Sequence, residues 1–437
     1  MSVASIELPA NGRLDQTSRD EAPSSRKKVL ICAYSCEPHR GSEPGTGWHV
    51  LREAALRHDV WLLTRPHGAA KIEAELKALG ITSVTPLYYD LPIVGPIWRK
   101  KHLLGLRLHN YLWQFGAGRL AKRVHNEVKF DVAHHVTFVN YYTLSAAAGA
   151  GCPLVWGAVG GAEEAPKAFN PSFSLFGRAY EAFRKFRRLA GELDPFTRRT
   201  ARRATVGVST TRESAERMKK IGSRVDEIMS ECGVTTVEAD QVSDFPIRDG
   251  NTVRFISVGR LLHWKGFYLA LSAFLKLNDD SEFWIVGDGP DRPRLEAMAA
   301  ASPRGNRVKF VGAVPRARVL ELLRDADVML HPSLHDSGGV TPIEGMAAGR
   351  PVICLNLGGV ATKVPDDAGI KVDALTPDQT VNDLARAMEK LSADSALRKQ
   401  MALRGREVVR EEFLWSGIMD RYDRLYDLAI TRSGVRR

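Results

Sequence analysis

The amino-acid sequence predicts an α/β protein made of two Rossmann-like, doubly wound parallel-sheet domains facing each other across a central cleft. Three observations lead there. Short β-rich apolar runs alternate with helical patterns along most of the chain. A polar, turn-rich stretch at 235–251 interrupts that rhythm, which then restarts. The chain's 437 residues, 44% hydrophobic and 26% charged, suit two soluble domains with a core each and exclude a fibre or a wholly disordered chain. The expected division is a disordered tail at 1–26, a first domain at 27–240, a second at 241–415 and a terminal helix at 416–437.

In chain order, 1–26 mixes both charges with Pro, Ser and Asn and holds no apolar run of signal length, so it reads as a loose tail rather than a secretion signal. KKVLICAY (27–34) is a strand, followed by a Gly/Pro/Ser loop, a helix over about 47–58 and a second strand, DVWLLT (59–64). FDVAHHVT (130–137), PLVWGAVGG (153–161) and ATVGVST (204–210) continue the pattern of parallel strands buried on both faces. Residues 144–162 are long enough to span a membrane, but several glycines and a proline argue against it. In the second domain VRFISVGR, FWIVGDG, VKFVGAV, DVMLHPS and PVICLN alternate with helices. The stretch 393–428 is amphipathic and helical, anchored by Phe413, Trp415, Tyr422 and Tyr426.

Five scattered cysteines make a disulfide framework improbable and favour a reducing cytosol; Cys32 and Cys36 read as small packed thiols. The net charge of +11 is local: 98–125 contributes +7, including Arg99, Lys100, Lys101 and Arg107, and 177–204 contributes +6. Aromatics interleave with these charges, which suits an anionic membrane surface or, equally, two solvated helix faces. No nucleic-acid recognition motif accompanies them.

Open α/β sheets bind ligands at the C-terminal ends of their strands, so two facing sheets favour an extended, phosphorylated substrate. In SVGRLLHWKGF (257–267), Arg260 and Lys265 flank a strand-to-helix junction, where they either neutralise a diphosphate or serve as surface cations. In HPSLHDSGGVTPIEGMAAGRPVI (331–353), Thr341 reads as an N-cap with Pro342 following, and Glu344 then completes a capping box. Alternatively, the helix end behind Gly338 and Gly339 binds an anion while Glu344 takes the hydroxyls of a ribose. The DxD match at Asp325 and Asp327 reads as turn chemistry, and no metal-ligand spacing occurs elsewhere.

GRLLHWKG, FWIVGDGP, VKFVGAVP, DVMLHPS, an acid eight positions before Glu344, GMAAGRPVI and LGG, in this order, resemble retaining glycosyltransferase family 4, also called group 1, of GT-B fold. YSCEPHRGSEPGTGW and VWGAVGGAEEAP look like a bacterial polysaccharide-type subgroup, and FLWSGIMDRYDRLY resembles the family's terminal helix, which crosses back to the N-terminal domain. The resemblance implies that Arg260 and Lys265 hold a donor diphosphate. It implies that Glu344 binds the ribose and that Asp336, one methylene shorter than the usual Glu, lies near the transferred sugar. Gly338 and Gly339 would offer amides, and Val314 and Pro315 fall at the base-contacting loop. In the N-terminal, acceptor-side domain, GSEPGTG (41–47) takes the place of a glycine-rich loop under the phosphates, with Gly45 and Gly47 allowing close approach and Glu43 near an acceptor hydroxyl. His134 or His135 would reach the donor sugar or serve in the core; Glu163 and Glu164 are acceptor-side candidates.

The expectation is therefore a retaining hexosyltransferase of bacterial exopolysaccharide or lipopolysaccharide synthesis. It would need no cofactor or metal, would use a nucleotide diphosphate sugar as donor, and would take a saccharide or lipid-linked acceptor. It would be cytoplasmic, with peripheral contact to the inner face of the cell membrane. The rival readings are a GT-B sugar-nucleotide epimerase or hydrolase, a non-catalytic nucleotide-binding scaffold, and an NAD-dependent oxidoreductase, which the misplaced glycines disfavour.

Overall fold

The computed structural model describes residues 26–91, 103–248 and 252–434. The tail expected at 1–26, the basic residues Arg99, Lys100 and Lys101, and the last three residues of the chain lie outside the described residues, Arg26 excepted.

Seven parallel strands form the first sheet: β1 (Lys28–Cys32), β2 (Asp59–Thr64), β3 (Val84–Tyr88), β4 (Val132–His135), β5 (Leu154–Val159), β6 (Val206–Ser209) and β7 (Glu227–Ile228). Six form the second: β8 (Arg254–Val258), β9 (Glu282–Val286), β10 (Val308–Gly312), β11 (Val328–His331), β12 (Val352–Leu355) and β13 (Gly369–Val372). Their orders are β3-β2-β1-β4-β5-β6-β7 and β10-β9-β8-β11-β12-β13. The order in which strands are added thus reverses once in each sheet, between β1 and β4 and between β8 and β11, the switch points where doubly wound sheets open a crevice. β4, β5, β6, β11 and β12 are buried throughout, as expected of parallel strands covered on both faces. The stretch 144–162 holds β5 and one short helix, and no helix among the described residues is long and apolar enough to cross a membrane.

The chain crosses between lobes at Val234 and returns at Leu414, where these two residues pair. Val234 N donates to Phe413 O at 2.9 Å and Trp415 N to Val234 O at 3.0 Å, so the two crossings brace each other. The first crossing precedes the expected 240/241 boundary because Val234, Ala239 and Val242 already pack in the second lobe. The terminal helix, Trp415–Arg432, returns to the first lobe and buries Ile418, Tyr422 and Tyr426 against Ile31, Val132 and Val155. His58 Nε2 and Arg57 hold Asp423 at 2.6 and 2.7 Å on its flank.

Candidate active site

The loops after β1, β8 and β11 converge on one cavity of about 390 Å³ between the lobes. Two helix N-termini point into it. The C-terminal one begins Val340–Ala347 behind Gly339, whose φ of +60° is left-handed backbone that glycine adopts without strain. Neither this end nor that of the opposing helix, Ser42–Arg57, carries a side-chain cap. Free amides and the positive ends of two helix dipoles therefore share one space.

Asp336 lies at its centre. Lys265 Nζ donates to Asp336 Oδ2 at 2.5 Å, and His331 Nε2 donates to the same oxygen at 3.3 Å. Burial would raise the Asp336 pKa, but the His331 hydrogen bond and the Lys265 charge outweigh it and hold the carboxyl well below its ordinary range. Lys265 has further protons to offer beyond that bond. Lys363, buried, donates to Ser337 O at 3.1 Å and fixes the next residue of the loop.

The helix expected to start at Pro342 behind a Thr341 cap starts at Val340 behind Gly339 instead, so no Thr341–Glu344 capping box forms. Glu344 accepts from Arg316 Nη1 at 2.5 Å, while Arg316 Nη2 reaches Glu238 Oε1 at 3.0 Å. Burial raises the Glu344 pKa against the pull of Arg316. Gly338 and Gly339 line the cavity; Glu344, Val314, Pro315 and Arg260 do not, although Arg316, next to Pro315 and bonded to Glu344, does. Arg260 stands exposed beyond β8 with no ion-pair partner among the described residues.

On the N-terminal side several expectations change. GSEPGTG is not a loop: Gly45 and Gly47 lie inside the helix Ser42–Arg57, and a Cβ on Gly45 would meet Arg40 O at 2.1 Å. Its carbonyls are drawn into helical bonding despite Pro44 because proline is tolerated in a first turn. Glu43 accepts from Phe138 N at 2.6 Å, which ties the helix start to the loop after β4, and it also lines the cavity. His134 is enclosed: its Nε2 donates to Gly157 O at 2.7 Å and its Nδ1 accepts from the Tyr426 hydroxyl at 2.8 Å. Burial pushes its pKa down to about 3, so the ring is neutral. His135 is equally buried, with Ser145 Oγ at 3.0 Å from its Nδ1, and burial lowers its pKa to about 4. Neither ring lines the cavity, because β4 is central and both faces of it are covered. Glu163 accepts from Thr211 Oγ1, Ser214 Oγ and Gly161 N at 2.7, 2.8 and 3.0 Å and organises its own turn, while Glu164 pairs with Arg188. Asp327 likewise accepts from Arg254 N at 2.8 Å, a structural bond and not a metal contact.

The sequence reading missed Glu231, at the crossing. It lines the cavity, one oxygen would stand 2.6 Å from a Cβ on Gly338, and its Oε2 is buried with no hydrogen-bond partner. Burial, reinforced by Glu43, Glu163 and Asp336 and opposed by Lys363, raises its pKa to about 8. Only Val234 onward carries a helical or strand pattern nearby, so no local signal marked it. No group of three or more His, Cys, Asp or Glu that could hold a metal occurs among the described residues.

Residues 241–408 match the family model described as glycosyl transferases group 1. The chain is 31% identical over 231 residues to the 2-deoxystreptamine glucosyltransferase of Streptomyces kanamyceticus, covering 52% of this chain and 57% of that one. It is 30% identical over 190 residues to the lipopolysaccharide core biosynthesis glycosyltransferase LpsE of Rhizobium meliloti, covering 43% and 52%. The chain thus spans little more than half the length of these relatives. Among solved structures, Anabaena HepE in complex with UDP-glucose superposes with a TM-score of 0.57 at 16% identity, covering 92% of this chain and 100% of that one.

Proposed function

We propose, from a chain of GT-B fold whose residues 241–408 belong to glycosyl transferases group 1, that the whole protein transfers a sugar from a nucleoside diphosphate sugar to an acceptor hydroxyl with retention at the anomeric carbon. The observation that carries the reading is the pair of uncapped helix ends facing each other over Lys265 and Asp336. A diphosphate placed there meets amides from both lobes and the remaining protons of Lys265, with Arg260 free at the rim to join. These groups are already oriented where negative charge grows as the glycosidic bond to phosphate breaks, so stabilising the leaving group is the main catalytic contribution. Asp336, kept ionised, accepts from a hydroxyl of the transferred sugar and fixes its orientation. Glu344 takes the ribose hydroxyls, and the departing phosphate accepts the acceptor's proton on the same face. In this proposal no metal and no cofactor takes part.

A role in lipopolysaccharide core biosynthesis, like that of the relative LpsE, fits a peripheral, cytoplasmic enzyme. The helix Leu175–Leu193 supports such contact: Leu175, Phe176, Phe186 and Leu193 are 82, 77, 66 and 71% exposed on a helix that also carries Lys185. UDP-glucose is the first donor to try, since HepE binds it in its solved complex. A thermal-shift panel of UDP- and GDP-sugars identifies the donor. NMR of the product's anomeric proton then reads the stereochemistry. Absence of any nucleotide-dependent shift, or an inverted product, overturns the reading.

A further inference from the structure

A second, smaller cavity of about 180 Å³ lies on the other side of Asp336 from the helix ends. Asp336 and Ser337 line both cavities, so this loop is the wall between them. Three arginines enter the small cavity: Arg107 from the helix Leu103–Val128, and Arg184 and Arg187 from the helix Leu175–Leu193. Arg107 and Arg187 have no carboxylate partner among the described residues. Arg184 donates to Glu163 O at 2.5 Å and stands 3.8 Å from Glu181. The acids that face this space are already engaged. Glu163 holds its three hydrogen bonds and Asp336 holds Lys265 and His331; Glu181, outside the lining, accepts at Oε1 from both His263 and His335 at 3.0 Å. Two of the three guanidiniums, those of Arg107 and Arg187, therefore share this space without a carboxylate partner of their own among the described residues, and a bound anion would relieve their repulsion.

We propose that this cavity binds a phosphate group carried by the acceptor, a phosphate ester or diphosphate, and that it sets the acceptor hydroxyl against the sugar across Asp336. The proposal rests on the transferase reading above. Arg187 also places the site at an opening, because its guanidinium lies 5.8 Å from the Tyr142 ring inside and 6.0 Å from the Phe183 ring, which is 46% exposed. The acceptor's remaining atoms leave along that side. Glu181 and the stacked rings of Tyr180, Trp264 and His335 tie the arginine-bearing helix to the loop of Asp336, so the phosphate site and the donor site keep a fixed separation.

The test is titration calorimetry of pyrophosphate into full-length protein saturated with UDP or GDP, whichever raises its melting temperature. The nucleotide occupies the donor cavity and leaves the second site as the place for pyrophosphate. Wild type should bind, and the double variant Arg107→Gln/Arg187→Gln should bind about tenfold or more weakly, as loss of two charge-assisted partners implies. The same nucleotide shift in the variant shows that it is folded. A parallel arm uses phosphatidylcholine vesicles with and without phosphatidic acid: selective, arginine-dependent binding to the phosphomonoester vesicles assigns the phosphate to a lipid, and arginine-dependent binding of free pyrophosphate alone assigns it to a soluble acceptor. Nucleotide binding without any pyrophosphate or phosphatidic acid binding, or binding unchanged in the variant, overturns this inference while sparing the transferase reading. Failure of every nucleotide to bind overturns the transferase reading first.

Discussion

The two lobes bring the same device to the cleft, a helix N-terminus without a side-chain cap, and arm it differently. Behind the C-terminal helix end stand Lys265, His331 and Asp336, bonded to one another, and Arg316, bonded to Glu344 and Glu238, and all four line the cavity. Behind the N-terminal helix end stand Glu43, His134 and His135, whose partners are backbone and core side chains. The difference separates two jobs. On the proposed function the C-terminal lobe would stabilise charge, and the N-terminal lobe would hold a backbone shape against which that charge is placed.

The strongest way to break this comparison is to remove charge from the first set. Lys265→Ala deletes the cation nearest the expected diphosphate and should lower kcat about 10²- to 10³-fold, the cost of losing one preorganised leaving-group contact. The circular dichroism spectrum should stay that of wild type. Steady-state release of nucleoside diphosphate measures it; wild-type turnover in this variant would show that the Lys265–Asp336 pair is not the charge-bearing centre.

A change in the second set should instead register in stability. His134→Ala leaves the Gly157 carbonyl and the Tyr426 hydroxyl buried without their partner and opens a void under the terminal helix. A loss of about 2–4 kcal/mol in urea denaturation is expected, with nucleotide affinity of the folded protein little altered. A stable variant with crippled turnover would return His134 to the catalytic set.

His134 also shows what a sequence can and cannot reveal. Ten of the thirteen strands announce themselves as apolar runs with polar flanks, because burial between two helical layers demands that composition; β3, β7 and β13 are short or only partly buried and carry too weak a signal. Lys265, Asp336, Gly338 and Gly339 were legible because loops at strand ends place side chains within a few residues of their motif. The role of His134 was not, since its partner Tyr426 is 292 residues away. Glu231 was illegible for the same reason: its neighbours Gly338 and Lys363 come from the other lobe.

Glu231 sharpens the comparison through pH. It and Asp336 border one cavity, yet burial raises one pKa to about 8 while His331 and Lys265 hold the other low against burial. In the unfolded chain Glu231 ionises near 4.5, and the folded state keeps its proton to about pH 8. The stabilisation is therefore complete below about pH 4.5 and is lost as pH rises through about 8. Glu231→Gln should flatten that portion of the curve of melting temperature against pH. Parallel curves for variant and wild type would mean that Glu231 is ionised in the fold.

The smallest effect belongs to Arg316, more than half exposed, which ties Glu344 to Glu238. Exposed ion pairs contribute little to stability, so Arg316→Ala should leave the melting temperature within error. Its consequence lies in positioning. Without Arg316, burial acts on Glu344 with less opposition and the carboxylate is less firmly ionised where the proposal places the ribose. KM for the donor should rise about 2- to 5-fold with kcat unchanged, the pattern of lost ground-state binding. A fall in kcat at unchanged KM would instead place Arg316 with Lys265 among the groups that act as charge develops, and the C-terminal lobe would then spend its charge on chemistry alone.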